Sequence, residues 1–262
     1  MTAEGAPRIE RDGDVVRITM ARPAKRNALS REHLTQLLGA FDEVASSDAT
    51  GIVLAAEGPV FSAGHDLGEV GGRPLAEVRS LLELCTELMQ TVEAVPQVVI
   101  ARVHALATAA GCQLVASCDL AVAAESAGFA TPGGKFGWFC HTPMVAVARN
   151  VGRKRAMELA LTGDVIDART ALDWGLVNRV VPDADLDDAV DELMDRATRG
   201  SRASKALGKR TLYAQLDRPE REAYDIALAV MADASQTPGA REWSESFVQK
   251  RPAVWTDRKR PK

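Results

Sequence analysis

The chain has 262 residues, 46% of them hydrophobic, enough for one well-buried core with or without a smaller appended lobe. Its formal charge is -4 and its pI is near 5.7, with Lys and Arg scattered rather than gathered on one stripe; this excludes a general nucleic-acid binder but leaves room for a local basic spot that holds a phosphate. The N-terminal stretch MTAEGAPRIERDGD has no apolar signal core, and the longest weakly polar run, Val98 to Ser117, is broken by Arg102 and His104, so no membrane span is expected and the chain reads as a soluble cytoplasmic protein.

In chain order, Ile9 to Arg11, the Asp12-Gly13 turn and the alternating run Val15 to Met20 predict a β-hairpin. A helix follows, capped by Ser30 with Glu32 in its first turn and turning Leu34, Leu37, Leu38, Phe41 and Val44 to the core; His33 is expected on its surface. Thr50 to Ala56 predicts a short strand, Pro74 to Ala94 a long amphipathic helix and Gln97 to Val103 a buried strand, with His104 near the core as a satisfied structural residue. Ala107 to Ala116 reads as a small-residue helix and Asp119 to Ala124 as a further strand, the succession of an α/β core. From Pro143 onward the pattern reads as helices, over 143–150, 153–162, 167–174, 186–198, 201–216, 219–233 and 239–249, so an α/β half gives way to a helical region near Thr162. No internal repeat stands out. Cys85, Cys112, Cys118 and Cys140 form no CxxC pair and have no His at zinc-ligand spacing, which predicts a reduced compartment and no structural metal; Cys112 and Cys118 read as small buried hydrophobes.

Two small-residue loops carry the chemistry. Phe61-Ser62-Ala63-Gly64-His65-Asp66-Leu67 follows a buried strand, where an Ala-Gly step lets backbone N–H groups approach a ligand. Ala109-Ala110-Gly111-Cys112 opens a helix, where free N–H donors coincide with the positive end of the helix dipole. Either loop alone reads more readily as a packing device; the conjunction of the two is the stronger signal. Facing one another, they would make an oxyanion hole able to bind a thioester oxygen as it gains enolate charge.

With these motifs the sequence resembles the crotonase (enoyl-CoA hydratase/isomerase) superfamily. The likeness runs from about Ile9 to Trp255, through Arg22-Pro23, Asn27-Ala28-Leu29, FSAGHDL, VHALATAAGCQLVASCDLAVA, FATPGGKFGWF and LTGDVIDARTALDWGLVNRVV. Within the superfamily ATAAGCQLVASCD, FATPGGKFGWFC, TPMVAVAR and the tail FVQKRPAVW resemble the enoyl-CoA hydratase domain-containing protein 3 group. The resemblance implies an α/β fold with a ββα spiral core over 1–195, and a helical C-terminal trimerisation region over 196–262. It further implies a homotrimer or hexamer, an acyl-CoA or enoyl-CoA thioester as ligand, and no cofactor beyond the CoA of that ligand. By position the N–H groups of His65 and Ala110 would form the hole, flanked by Ala63, Asp66 and Leu67. Lys25 and Arg26, with Phe247 and Lys250 on the tail, match places where the family gathers charge and apolar surface around CoA; a solvated surface run is the alternative. Phe136 and Trp138 would wall the acyl pocket or pack a core.

The sequence departs from the family at the two glutamates that handle water in hydratases, which are Gln113 and Gly133 here. Gln113 can hydrogen-bond water but cannot take its proton, and Gly133 offers no side chain. At the position where some relatives place another carboxylate stands His141, either a proton carrier or a residue that caps or solvates the helix opening at Pro143. The side chains of His65 and Asp66 are expected to serve the local turn. Two functions therefore stand side by side: an enzyme on an acyl-CoA thioester, or a non-catalytic acyl-CoA binder.

Overall fold

The structure is a computed structural model and describes residues 5–257. β1 (Arg8–Asp12) and β2 (Val15–Met20) form the expected antiparallel hairpin, with Gly13 at φ 55° in the turn. α1 (Arg31–Ala45) starts where the Ser30 hydroxyl accepts the His33 N–H, and it buries Leu34, Leu37, Leu38, Phe41 and Val44. His33 departs from expectation. It lies four residues before Leu37 on the same helix face, so it is fully buried, with Nδ1 3.2 Å from the Ala28 carbonyl oxygen. Burial pushes its pKa down to about 4.

From this point a strand, strand, helix unit recurs. β3 (Gly51–Ala56), β4 (Val60–Ser62) and α2 (Leu75–Ala94) are followed by β5 (Val98–Val103), β6 (Leu106–Thr108) and α3 (Ala110–Ser117), and then by β7 (Leu120–Ala124), β8 (Gly128–Ala130) and α4 (His141–Val151). After α5 (Arg153–Thr162) come β9 (Ile166–Asp167), α6 (Ala168–Trp174), β10 (Arg179–Val181) and α7 (Leu186–Thr198). The first strand of each unit enters a six-stranded sheet of order β1-β2-β3-β5-β7-β10, and the second enters a four-stranded sheet of order β4-β6-β8-β9. This is the ββα spiral.

Three sequence expectations change here. The strands of the smaller sheet span two or three residues each, too few to display alternation, so the repeat is visible only in the structure. The run expected as one small-residue helix from Ala107 is split at Ala109 between β6 and α3. The C-terminal half is not helical from Pro143 or Thr162 onward: β9 and β10 extend the two sheets, and α7 packs Leu186, Val190 and Met194 against Val53, Ile100 and Val122.

The last helices are α8 (Arg202–Gln215), α9 (Glu220–Ala234) and α10 (Pro238–Val248). Lys209 of α8 reaches into the core: Nζ lies 2.8 Å from Asp119 Oδ2 and donates to the carbonyls of Val92 and Gln97, each at 3.0 Å. The Tyr213 hydroxyl donates to the other oxygen of Asp119 at 3.1 Å. All four cysteines are free and buried, and burial pushes the thiols of Cys85 and Cys112 up to about 12. His104 is half-buried with Nε2 2.9 Å from the Gly58 carbonyl oxygen, while its Nδ1 is buried without a partner. Among the described residues no helix is long and apolar enough to cross a membrane.

Candidate active site

β4, β6 and β8 are adjacent and parallel, so the loops that leave their C-terminal ends lie side by side, one strand spacing of about 4.8 Å apart. Those loops begin Ala63-Gly64-His65, Ala109-Ala110 and Thr131-Pro132-Gly133. One edge of a short sheet thus gathers every position the two motifs and the family's glutamate slots pointed to.

The first two loops interlock. Gly64 has φ +81°, and a Cβ there would lie 2.9 Å from Ala109 Cβ and 3.1 Å from the Ala110 nitrogen. A Cβ on Gly111 would lie 2.7 Å from Ser62 Cβ, so each loop needs the other's glycine. Ala109 turns the corner at φ 52° and ψ -119°, a conformation alanine rarely adopts, while its N–H donates to the Ala130 carbonyl at 2.9 Å. Ala110 is the first residue of α3, so its N–H has no intrahelical acceptor. The His65 N–H also makes no hydrogen bond, because the neighbouring contact to the α1 entry runs from the Leu29 N–H to the Gly64 carbonyl at 2.8 Å. Two unpaired donors therefore stand beside each other at the strand edge, one of them at the positive end of a helix dipole. Such a pair suits an oxygen atom that gains negative charge.

The basic turn is seated against this edge. Asn27, fully buried, donates from Nδ2 to the Glu57 and Val60 carbonyls, and the Ser62 hydroxyl donates back to the Asn27 carbonyl. The Arg26 carbonyl accepts the Ala63 N–H at 3.0 Å, so Lys25 and Arg26, both exposed, project beside the first loop. Asp66 behaves as a turn residue: its Oδ1 accepts the Gly68 N–H at 2.9 Å. Leu67 is exposed, as are Phe136 and Trp138 on the third loop, which places these two rings outside the core.

Gln113 lies on the first turn of α3, 5% exposed, with Oε1 buried and unpartnered. The Thr131 hydroxyl is likewise buried and unpartnered, a site feature the sequence reading misses because a lone Thr before Pro carries no signal. Gly133 is closed off from a ligand: its N–H donates to Cys140 Sγ at 3.3 Å and its carbonyl accepts the Trp138 N–H at 2.9 Å. A Cβ there would collide with the Trp138 carbonyl oxygen and lie 2.8 Å from Cys140 Sγ. The loop has folded into the space a side chain would need.

His141 is the first residue of α4, two residues earlier than expected, so it does not cap a helix opening at Pro143. Its ring is exposed and leans on Phe139, with centroids 5.0 Å apart. The contacts of Phe247 and Lys250 run within their own segment: Phe247 stacks on Trp243, and the Lys250 N–H donates to the Phe247 carbonyl. A cavity of about 930 Å³ lies elsewhere, lined among others by Asp12, Arg17, Asp191, Met194 and Trp255, and touches none of the three loops.

A spiral of ββα units with three loops side by side at one end of a short parallel sheet is the crotonase fold. The chain belongs to the enoyl-CoA hydratase/isomerase family, whose profile matches residues 10–258. It is 42% identical over 258 residues to the mitochondrial enoyl-CoA hydratase domain-containing protein 3 of Rattus norvegicus, covering 97% of this chain and 86% of that protein. Its structure is similar to the crystal structure of an enoyl-CoA hydratase from Mycobacterium smegmatis, with a TM-score of 0.92, 43% identity and coverage of 95% of this chain and 98% of that one. The human enoyl-CoA hydratase domain-containing protein 3 structure gives a TM-score of 0.92 at 40% identity, covering 95% of this chain and all of that one. These relatives overturn the cytoplasmic expectation, since the proteins from rat, mouse, zebrafish and human are named mitochondrial. Core composition and an apolar-poor N-terminus carry no compartment address by themselves.

Proposed function

We propose that the chain binds an acyl-CoA thioester with its carbonyl oxygen between the N–H groups of His65 and Ala110, and that it polarises this carbonyl without a glutamate pair. The observation that carries the reading is the pair of unpaired donors held together by Gly64, whose Cβ-free face lies against Ala110. Donors so placed are each worth about 3–4 kcal/mol to a developing oxyanion. Lys25 and Arg26 supply cations for the CoA phosphates, and Leu67, Phe136 and Trp138 offer apolar wall. CoA enters as part of the ligand, and no other cofactor belongs to the proposal.

Gln113 holds water or a ligand oxygen by hydrogen bonds, and position 133 contributes no acid or base. Crotonyl-CoA hydration should therefore fall short of a hydratase by about a hundred- to ten-thousand-fold, the usual contribution of general acid–base help. Gln113→Glu should raise it only slightly. The second glutamate cannot be restored, because a side chain at 133 meets the Trp138 backbone. Calorimetry with butyryl-CoA and butyrate, alongside hydration assays, tests this: the thioester should bind far more tightly than the free acid. Equal affinity for both, or robust hydration undiminished by Gln113→Ala, refutes the reading.

The filled slot at 133 also favours a second reading, a binder that grips the thioester without turnover. As to assembly, we infer a homotrimer or hexamer from the apolar side chains that α8 to α10 leave exposed, among them Leu212, Leu216, Leu228, Met231 and Phe247. Light scattering that reports a monomer at micromolar concentration refutes it.

A further inference from the structure

The role of the His65 N–H leaves its imidazole unexplained. Asp66 secures the local turn, but the ring beside it does not: Nδ1 and Nε2 of His65 are both buried and neither makes a well-formed hydrogen bond, the Leu29 carbonyl being the one backbone group that acts on the ring. Gln113 Oε1, on the first turn of α3, and Thr131 Oγ1, at the start of the third loop, are buried and unpaired as well. A buried polar atom without a partner has lost its water without compensation, and each of the three segments that follow β4, β6 and β8 contributes at least one such atom. The His65 ring is covered by Trp138, with centroids 6.2 Å apart and planes tilted by 46°. Trp138 belongs to the exposed end of the third loop, so the imidazole lies beneath a ring that solvent reaches.

We propose that the His65 imidazole is the base of this site and takes a proton from C2 of the bound acyl-CoA. The inference rests on the thioester reading above. The C2–H bond breaks, its proton passes to an imidazole nitrogen, and its electron pair forms the C1–C2 double bond while the carbonyl electrons move onto the oxygen held by the N–H groups of His65 and Ala110. Return of the proton to C2 restores the thioester. In a 3-enoyl thioester, delivery to C4 instead shifts the double bond to C2–C3, and no co-reactant is required for either outcome. One residue thus supplies both a donor to the oxyanion and the acceptor of the proton. Burial lowers the pKa of the ring, against the opposing pull of the Leu29 carbonyl and the Glu69 carboxylate, so the neutral form that accepts a proton prevails at pH 7.

The test is deuterium uptake at C2 of 3-butenoyl-CoA in heavy water, read by mass spectrometry, with calorimetry of the same ligand. His65→Ala and His65→Gln both retain the backbone N–H, so a purely backbone role predicts wild-type exchange. The proposal predicts a loss of about a hundred- to ten-thousand-fold in both variants, with Kd changed by no more than about threefold. Wild-type exchange should also decline as acid protonates the ring, an inflection absent from the variants. Thermal melts show whether each variant is folded, and the Gln variant retains volume and hydrogen bonding should Ala disturb the loop. Exchange at the wild-type rate in folded His65→Ala overturns the proposal, as does exchange that survives there and vanishes in His141→Ala. Tight binding with no exchange by the wild type overturns it while leaving the thioester reading intact. Failure to bind any acyl-CoA removes both.

Discussion

Gly64→Ala is the sharpest probe of how the two donor loops are held. At φ +81° a residue with a Cβ incurs roughly 1–2 kcal/mol of backbone strain. The new methyl would sit 2.9 Å from Ala109 Cβ, closer than real Cβ contacts, with the Thr108 carbonyl oxygen at 3.0 Å and the Ala110 nitrogen at 3.1 Å, tighter than most, and such overpacking costs roughly 1–3 kcal/mol. The expected destabilisation is about 2–5 kcal/mol, to be read by urea denaturation. Relief comes from moving the loops apart, which displaces the Ala110 N–H from the His65 N–H, and a shift of about 1 Å at a reacting centre costs about a hundredfold. Acyl-CoA affinity and C2 exchange should therefore both fall. Ala109→Gly is the counterpart: it removes the strain at φ 52° and ψ -119° and should stabilise by about 1 kcal/mol. Because it also deletes the Cβ that the methyl introduced at position 64 would strike, the double variant should recover part of the loss, with a coupling of about 0.5–3 kcal/mol. A Gly64→Ala protein within about 0.5 kcal/mol of wild type and with unchanged affinity would show that the loops are not interlocked as described.

Two further outcomes follow from buried charge. His33 has a folded pKa of about 4 against an ordinary 6.5, so its neutral form contributes stability that is present above pH 6.5 and lost as pH falls through 4, roughly 3 kcal/mol in all; His33→Gln should flatten that part of the acid limb, and an unchanged slope refutes the assignment. Lys209→Met strands the Asp119 carboxylate, whose pKa burial already raises despite the lysine, and should destabilise by roughly 3–5 kcal/mol. A raised folded pKa means that stability returns on acidification, so the variant should regain part of the loss between neutral and mildly acidic pH; a loss under about 1 kcal/mol, flat with pH, contradicts this account.

What the sequence discloses depends on element length and on where the function resides. The hairpin, α1 with its Ser30 cap, α2, β3 and β5 each span five or more residues, long enough for a period, a turn signal or a β-rich run to register, and are read correctly to within a residue or two. The second sheet is invisible, because β4, β6 and β8 have three residues each and no period to detect. His33 is misplaced because a polar residue on a helix is assigned to the surface by type, whereas its phase relative to Leu37 puts it inside. The donor loops are legible because close backbone approach demands small residues, and FSAGHD and ATAAGC advertise that demand. Their alignment is legible only through family resemblance.

The same reasoning explains why position 133 misleads. From sequence, glycine reads as an empty slot, a missing side chain that mutation could restore. In the structure the slot is occupied by backbone: Thr131 to Cys140 closes on itself through the Trp138 N–H to the Gly133 carbonyl and the Gly133 N–H to Cys140 Sγ. The loop at the position where the family resemblance leads one to expect a carboxylate brings Trp138 against His65. The choice of glycine and the shape of the loop are tied together, since the loop as folded has no room for a Cβ at position 133. Under the proposal made above, proton chemistry then falls to the imidazole of His65, next to backbone donors that no substitution of side chains can remove.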